Sequence, residues 1–111
     1  MLKHADFERV YDRGQRHFAR SVTVFFLTRE SGTPRVGFTV GKTFGGAVQR
    51  NRLKRRLREA VRLERQRLNA SVDIVVNPKR AALDANVAEL QREIGNAFEA
   101  ITRKLQRSDR T

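Results

Sequence analysis

The feature that most constrains this chain is a basic amphipathic segment at its centre, Arg50–Arg67. Nine of its eighteen residues are Arg or Lys and two are acidic, so the segment carries +7 of the formal net charge of +12. Its apolar residues recur at the spacing of one buried helical face: Leu53, Leu57, Ala60, Val61 and Leu68. The opposite face is almost wholly polar and cationic, and it carries Asn51, Arg52, Arg55, Arg58 and Arg62. The segment therefore predicts a helix that buries one face and offers the other to a polyanion.

Length and composition limit the class of protein. At 111 residues the chain is predicted to form one domain over residues 1–111. It contains no Cys, which excludes disulfides, thiolate metal sites and Cys nucleophiles. No apolar run exceeds four residues, at Val24–Leu27, so we expect neither a signal-peptide core nor a membrane span, and a cytoplasmic location. With a pI near 11.6, the candidate partners are nucleic acid, an anionic membrane surface or an acidic protein.

The first half of the chain is predicted to form a helix and two strands. Apolar spacing within Asp6–Arg13, followed by a glycine, predicts a short helix. Ser21–Thr28 is rich in β-branched and aromatic residues and predicts a strand. Arg35–Gly41 alternates apolar and small residues, and a turn at Glu30–Pro34 separates it from the first strand. We expect these two strands to pair as a hairpin with one face buried.

The second half completes a small α+β fold. Val72–Asn77 predicts a third strand after the basic helix, and Asn86 with Glu89 predicts a capping box that opens a final helix. The tail at residues 108–111 is expected to be frayed. The predicted element order is α-β-β-α-β-α, a single-domain α+β sandwich in which a small mixed sheet packs against helices.

The chain shows no catalytic machinery of its own. Gly37–Thr43 is similar to a phosphate-binding loop, but it has three residues between its glycines where that loop needs four, so we expect no nucleotide cofactor. His4 and His17 are isolated, and no group of carboxylates is placed to hold two metal ions.

Aromatic residues concentrate in the first quarter of the chain, where core packing is the simplest role for each. Phe25 has the strand parity of Thr23 and not that of its buried neighbours, so it is a candidate for an open sheet face on which an unpaired base could stack. Gly37, Thr39 and Gly41 are expected to keep one face of the next strand open and flat, so that something can lie on it.

Several blocks together carry a resemblance to a known family. They are Arg35-Val36-Gly37-Phe38-Thr39-Val40, then Gly45 and Ala47-Val48, and above all Arg50-Asn51-Arg52-Leu53-Lys54-Arg55. Leu2-Lys3, Asp6-Phe7, Val10-Tyr11 and Gly14 upstream, and Asp73-Ile74-Val75-Val76 downstream, extend the match over nearly the whole chain. On these residues the chain resembles the protein subunit of bacterial ribonuclease P.

The resemblance implies a fold and an activity that spacing alone could not give. It implies the ribosomal protein S5 domain 2-like fold with a left-handed strand–helix–strand crossover around the basic helix, although such crossovers are right-handed as a rule. It also implies a subunit of an endoribonuclease whose catalytic subunit is RNA and which removes the 5′ leader of precursor tRNA. The implied partners are that RNA and the precursor, with no membrane, and the implied cofactor is Mg²⁺ held mainly by the RNA subunit and the substrate.

The resemblance also assigns site residues, none of them catalytic and none a direct metal ligand. The residues that it places against the catalytic RNA are Arg50, Asn51, Arg52, Lys54, Arg55, Arg58 and Arg62. The residues that it places along the single-stranded leader, in a cleft between the first helix and the sheet, are Phe7, Tyr11, Phe25 and Lys42. The chain departs from the family pattern at Gly41, Thr43 and Gly46, where Ser, a second basic residue and Asn are usual.

Two other classes of function remain open on the residues alone. A ribosomal or assembly protein of related fold would need the basic face, but it would have no use for aromatic residues on an open surface. A stand-alone nuclease or nucleotide hydrolase would need the acidic cluster that the sequence lacks.

Overall fold

A four-stranded mixed sheet forms the centre of the molecule. The computed structural model describes the backbone of residues 2–109 and the side chains of residues 2–106. The strands are β1 (Gln15–Phe18), β2 (Val22–Thr28), β3 (Arg35–Phe38) and β4 (Val72–Pro78). Their spatial order is β1-β2-β4-β3, with β1–β2 and β2–β4 antiparallel and β3–β4 parallel.

The predicted hairpin between the second and third observed strands is wrong, because β4 lies between them. Five consecutive residues of β4, residues 72–76, are buried. A strand buried on both faces belongs in the centre of a sheet, where it has a neighbour on each side. The strand predicted to reach Gly41 ends at Phe38, although Val40 beyond it is still buried.

The hairpin partner of β2 is β1, a strand that the sequence did not predict. Its sequence, Gln-Arg-His-Phe, has no β-branched residue, and three of its four residues are exposed. Because β1 is a short edge strand, backbone pairing with β2 defines it and a buried side-chain pattern does not. The observed element order is therefore α-β-β-β-α-β-α.

In the described part of the chain, three α-helices cover the two faces of the sheet. They are α1 (His4–Arg13), α2 (Ala47–Glu64), which continues into a 3₁₀ turn at Arg65–Arg67, and α3 (Val87–Asp109). α2 and α3 pack against each other, and their apolar side chains share the main core with one face of the sheet. α1 lies on the opposite face, where a smaller apolar cluster forms around Leu2, Val10 and Val75.

The basic helix has the phase that the sequence predicts. Leu53, Leu57 and Ala60 are fully buried, and Val61 and Leu68 are nearly so. The helix begins three residues earlier than predicted, at Ala47, and its last predicted turn is 3₁₀. It joins β3 to β4, which are parallel neighbours, so the strand–helix–strand crossover is present; its left-handed sense stays a prediction.

One of the two hydrogen bonds of the predicted capping box is present at the start of the last helix. The backbone N–H of Glu89 donates a 2.9 Å hydrogen bond to Oδ1 of Asn86, which satisfies one donor at the start of α3. The helix extends to Asp109. Because Arg110 and Thr111 lie outside the described residues, fraying of the tail at residues 108–111 stays a prediction.

Candidate nucleic-acid interface

The polar face of α2 is open to solvent. Asn51, Arg52, Arg55, Arg58 and Arg62 are exposed, while Arg50 and Lys54 are half-buried. The face therefore lies where the apolar spacing predicted it. Contact between these seven residues and RNA stays a prediction.

Several arginines of the basic segment are already engaged within the protein. Arg56 donates hydrogen bonds to the carbonyl oxygens of Leu83 and Ala85, ahead of α3. Arg65 donates to the carbonyl oxygen of Pro34 at 3.1 Å. Arg67 forms ion pairs with Glu64 at 3.2 Å and with Glu99 at 3.5 Å. These side chains connect α2 to its neighbours and are not positioned as free charges.

Arg62 differs from the rest of the predicted RNA-binding set. Its guanidinium lies 2.6 Å from a carboxylate oxygen of Glu59, and this hydrogen-bonded ion pair raises the pKa of Arg62 and lowers the pKa of Glu59. Because its charge is balanced locally, Arg62 offers less to a phosphate than its neighbours do.

The uncompensated charge therefore lies in the first half of α2. Arg50, Arg52, Lys54 and Arg55 have no ion pair or hydrogen bond from their side chains within the described part of the chain. The guanidinium of Arg58 lies 6.0 Å from the ring centre of Phe38, a weak cation–π contact that leaves its donors free. The partial positive charge at a helix N-terminus has the same sign as these side chains, so an anion is favoured here.

The three aromatic residues predicted to contact a single strand lie together on the other face of the sheet. Phe7 and Tyr11 project from α1, and Phe25 projects from β2. All three are half-buried and pack against the smaller apolar cluster. They therefore hold α1 to the sheet, and their exposed parts border the line along which α1 meets it, a surface that we call the groove.

The open sheet face that the sequence predicts at Gly37 is not observed. A Cβ atom on Gly37 would lie 2.7 Å from the ring of Phe7, so this ring rests directly on the glycine backbone. Gly37 itself is buried. What lies on the flat strand at this point is the protein's own first helix.

A polar triad that the sequence analysis missed lies beyond Phe7. The hydroxyl group of Tyr11 donates a 2.8 Å hydrogen bond to Oδ1 of Asn77, and it lies 3.3 Å from Oγ1 of Thr39. Thr39 also donates to Asn77 at 2.7 Å. Asn77 follows the buried Val75 by two positions on β4, so strand alternation would have assigned it to this face. The triad orients the Tyr11 ring.

Phe25 is less open than the sequence analysis expected. The edge of Tyr11 contacts it with ring centres 4.9 Å apart and planes at 85°. The guanidinium of Arg16 lies 5.1 Å from the centre of the Phe25 ring. A base could stack on Phe25 only where the Arg16 side chain moves aside or joins the stack.

Lys42 is the one predicted leader residue that the structure does not bring into contact with the aromatic residues. It lies in an exposed 3₁₀ turn, Lys42–Phe44, between β3 and α2, and its side chain has no hydrogen bond or ion pair to a described residue. It follows Thr39 by three residues, a reach of at most about 11 Å. Lys42 therefore lies between the polar triad and the first turns of α2.

An ion-pair network anchors the start of α1 on the sheet. Arg35 on β3 donates two hydrogen bonds to the buried carboxylate of Asp73 on β4, at 2.8 and 2.7 Å. Arg29 lies 3.0 Å from the same carboxylate, and Arg35 also lies 3.5 Å from Asp6 on α1. The bonds to Asp73 raise the pKa of Arg35. The network therefore holds two strands and α1 in one arrangement.

The carboxyl group of Asp6 gives this anchor a dependence on pH. The hydrogen bond from the backbone N–H of Lys3, helped by the charges of Arg35 and Arg9, lowers the pKa of Asp6. A group whose pKa is lowered on folding stabilises the protein above its unfolded pKa, about 3.9, and loses that contribution as the pH falls through its folded pKa.

We expect the free energy of unfolding of Asp6→Asn to lie below that of the wild type at pH 6 and to converge on it below about pH 4. Urea titrations at several pH values measure this, and a difference that stays constant down to pH 3 would contradict it.

Two negative findings complete the site. Within the described part of the chain, no three His, Asp or Glu side chains form a group that could hold a metal ion. Among the residues that the structure describes, no helix combines the length and the hydrophobicity that crossing a lipid bilayer requires.

The fold and the two faces agree with one protein family. The family model for ribonuclease P matches residues 1–102. The ribonuclease P protein component of Symbiobacterium thermophilum is 46% identical over 94 residues, which are 84% of this chain and 82% of the relative. That of Desulforapulum autotrophicum is 35% identical over 103 residues, 93% of this chain and 88% of the relative. The chain belongs to the ribonuclease P protein family.

Solved structures agree with this assignment. The RNase P protein of Staphylococcus aureus superposes with a TM-score of 0.78 at 28% identity, covering 91% of this chain and 93% of that chain. The RNase P protein of Thermotoga maritima gives 0.81 at 25% identity, covering 89% and 94%. The predicted α+β class is confirmed, and family membership implies a component of an endoribonuclease holoenzyme.

Proposed function

We propose that this chain is the protein subunit of a ribonuclease P whose catalytic subunit is RNA, and that it assists removal of the 5′ leader from precursor tRNA in the cytoplasm. The observation that carries the proposal is the pairing of two surfaces. A patch of cations without internal partners occupies the first half of α2, and the half-buried rings of Phe7, Tyr11 and Phe25 lie beside Thr39 and Asn77 where α1 meets the sheet.

The α2 patch is suited to folded RNA. Arg50, Arg52, Lys54 and Arg55 can bind phosphates without first breaking an internal ion pair. Their binding would release counterions from the RNA, so affinity should fall steeply as salt rises. Arginine predominates, and its planar fork binds phosphate through two donors and also stacks on bases. Asn51 and Arg58 extend the patch, and Arg62 contributes less because Glu59 balances its charge.

The groove is suited to a single strand and not to a duplex. Single-stranded RNA is bound by stacking of unpaired bases on aromatic rings and by hydrogen bonds to base edges. Phe7, Tyr11 and Phe25 supply ring surface, and Thr39 with Asn77 supplies donors and acceptors beside them. Lys42 adds a free cation between the groove and α2. The 5′ leader is the single-stranded part of the precursor, so we assign it to this groove.

The residues on these surfaces do not fit direct binding of Mg²⁺. That ion prefers hard oxygen ligands such as carboxylates and phosphates, whereas the α2 patch is cationic and holds no acidic cluster. We therefore propose that Mg²⁺ is held mainly by the RNA subunit and the substrate. The contribution of the protein is electrostatic, because its cations reduce the repulsion between two polyanions and so lower the magnesium concentration needed.

A purely structural RNA-binding protein is the second candidate. It would use the α2 patch in the same way, so binding of the leader in the groove is what distinguishes the two functions.

The test is single-turnover cleavage of precursor tRNA by the catalytic RNA at low magnesium, with and without the protein. The proposal expects faster cleavage at a lower magnesium concentration in its presence; an unchanged magnesium dependence would contradict it.

Phe25→Ala tests the groove. We expect it to weaken binding of precursor tRNA to the holoenzyme by about 5- to 150-fold, because stacking on one aromatic ring contributes about 1–3 kcal/mol per base. Binding of mature tRNA, which has no leader, should change little. Equilibrium binding of both RNAs to holoenzyme at fixed salt measures the difference, and Leu63→Ala on the exposed side of α2 is the control. Equal losses for the two RNAs would remove Phe25 from the leader site.

A further inference from the structure

Phe18 is the most exposed aromatic side chain among the described residues. It lies on the edge strand β1 and is 65% exposed, whereas Phe7, Tyr11 and Phe25 are all half-buried. A large apolar ring on an open sheet edge is a liability for aggregation. Phe18 belongs to neither apolar cluster, so core packing does not explain its position.

The position of Phe18 continues the groove. It pairs with Thr23 on β2, while Arg16 pairs with Phe25, so Phe18 is on the same sheet face as Phe25. Phe25 is its diagonal neighbour across the strand pair, a separation of about 7–8 Å. The two rings therefore form consecutive surfaces along one path.

The surroundings of Phe18 are cationic. The ammonium group of Lys79 lies 5.6 Å from the centre of the ring. Arg16 on the same strand and Arg20 in the following turn are both exposed. An aromatic ring between cations matches a strand that carries both flat bases and phosphates.

The turn that presents Phe18 is held in place. Lys79 donates a 2.6 Å hydrogen bond from its side chain to the carbonyl oxygen of Ala19. The backbone N–H of Ser21 donates a 2.6 Å hydrogen bond to Oε1 of Glu93 on α3. The ring is therefore presented by a constrained hairpin, which reduces the entropy lost on binding.

We propose that Phe18 is a second stacking platform for the 5′ leader, in addition to the one at Phe25. The strand register supports this position. Phe18 pairs with Thr23, and Thr23 pairs with Asn77 of the polar triad, while Phe25 lies one row away on the same face. A leader that passes the triad can therefore reach both rings. This inference rests on the proposed function.

The experiment measures the affinity of holoenzyme for precursor tRNAs whose leaders increase one nucleotide at a time. We expect Phe18→Ala to lose about 5- to 150-fold in affinity for long leaders and to match the wild type for the shortest leaders and for mature tRNA. Phe18→Tyr should restore most of the loss. Leu83→Ala, which truncates another exposed apolar side chain, is the control.

Stacking at position 18 can be measured by fluorescence, because the chain has no Trp and a Trp introduced there would be the only one. Fluorescence of Phe18→Trp should be quenched by long-leader precursor and not by mature tRNA. The proposal is overturned if Phe18→Ala binds long leaders like the wild type, if it loses equally for mature tRNA, or if the tryptophan is not quenched. Failure of the proposed function is distinguishable, because wild-type protein would then give no preference for precursor at any leader length.

Discussion

Replacing Arg52 and Arg55 together by Ala is expected to weaken assembly with the catalytic RNA by about 10- to 100-fold, at about 1 kcal/mol or more for each lost phosphate contact. Both side chains are exposed and have no partner among the described residues. The variant should therefore fold with unchanged stability, so the loss belongs to binding. The dependence of log affinity on log salt should become shallower by about 0.7–0.9 for each contact removed.

The matched control removes the same charge from another surface. Arg80 and Arg92 are exposed and likewise have no partner among the described residues. Arg80→Ala with Arg92→Ala should leave affinity and salt slope close to those of the wild type. Filter binding or fluorescence titration at four or more salt concentrations gives both quantities. If the control pair loses as much as the α2 pair, net charge binds the RNA and the α2 patch does not.

Asp73→Ala is expected to cause the largest loss of stability, about 3 kcal/mol. The carboxylate of Asp73 is 1% exposed, and it receives two hydrogen bonds from Arg35 and an ion pair from Arg29. Removal of one partner of a buried pair costs about 3–5 kcal/mol, because the other charge is left uncompensated. The lower end applies because the side chains of Arg29 and Arg35 keep 23% and 31% of their surface in solvent.

Urea unfolding measures this loss. Asp84→Ala serves as the control, because Asp84 is exposed and an exposed substitution changes the free energy of unfolding by no more than about 0.5 kcal/mol. A loss below 1 kcal/mol for Asp73→Ala would show that the network does not anchor α1. Since α1 carries Phe7 and Tyr11, we also expect leader discrimination to fall in this variant, even at temperatures where it remains folded.

The basic helix could be predicted because its information is local. A repeat of apolar residues over about four turns fixes which side of α2 is buried, and Leu53 and Leu57 lie where that repeat places them. The cap at Asn86 is equally local. The order of the strands does not follow from local sequence. The alternating patterns of β2 and β3 are compatible with direct pairing of these two strands and also with β4 between them. Only the continuous burial of β4 indicates that it separates them.

The sequence predicts which residues form the site, but it does not predict all of their contacts within the protein. Alternation assigned Phe25 to the correct face, but it could not show that Arg16 covers the ring, because β1 has no strand signal of its own. The helical period predicts Arg62 on the polar face. It does not predict that the ion pair with Glu59, three residues earlier, balances the charge of Arg62. The alternation of small residues predicts an open face at Gly37, but it cannot show that α1 packs there, because that position depends on tertiary contacts.

In the proposed function, α2 binds the catalytic RNA and the groove binds the leader. Because the chain has no Cys, single cysteines can carry a photo-crosslinker at Gln49, exposed in the first turns of α2, and at Thr23, in the groove beside Phe25. In holoenzyme with bound precursor, the account predicts crosslinks from Gln49→Cys to the catalytic RNA and from Thr23→Cys to the 5′ leader. Crosslinks from Thr23→Cys to the catalytic RNA alone, with none to the leader, would contradict it.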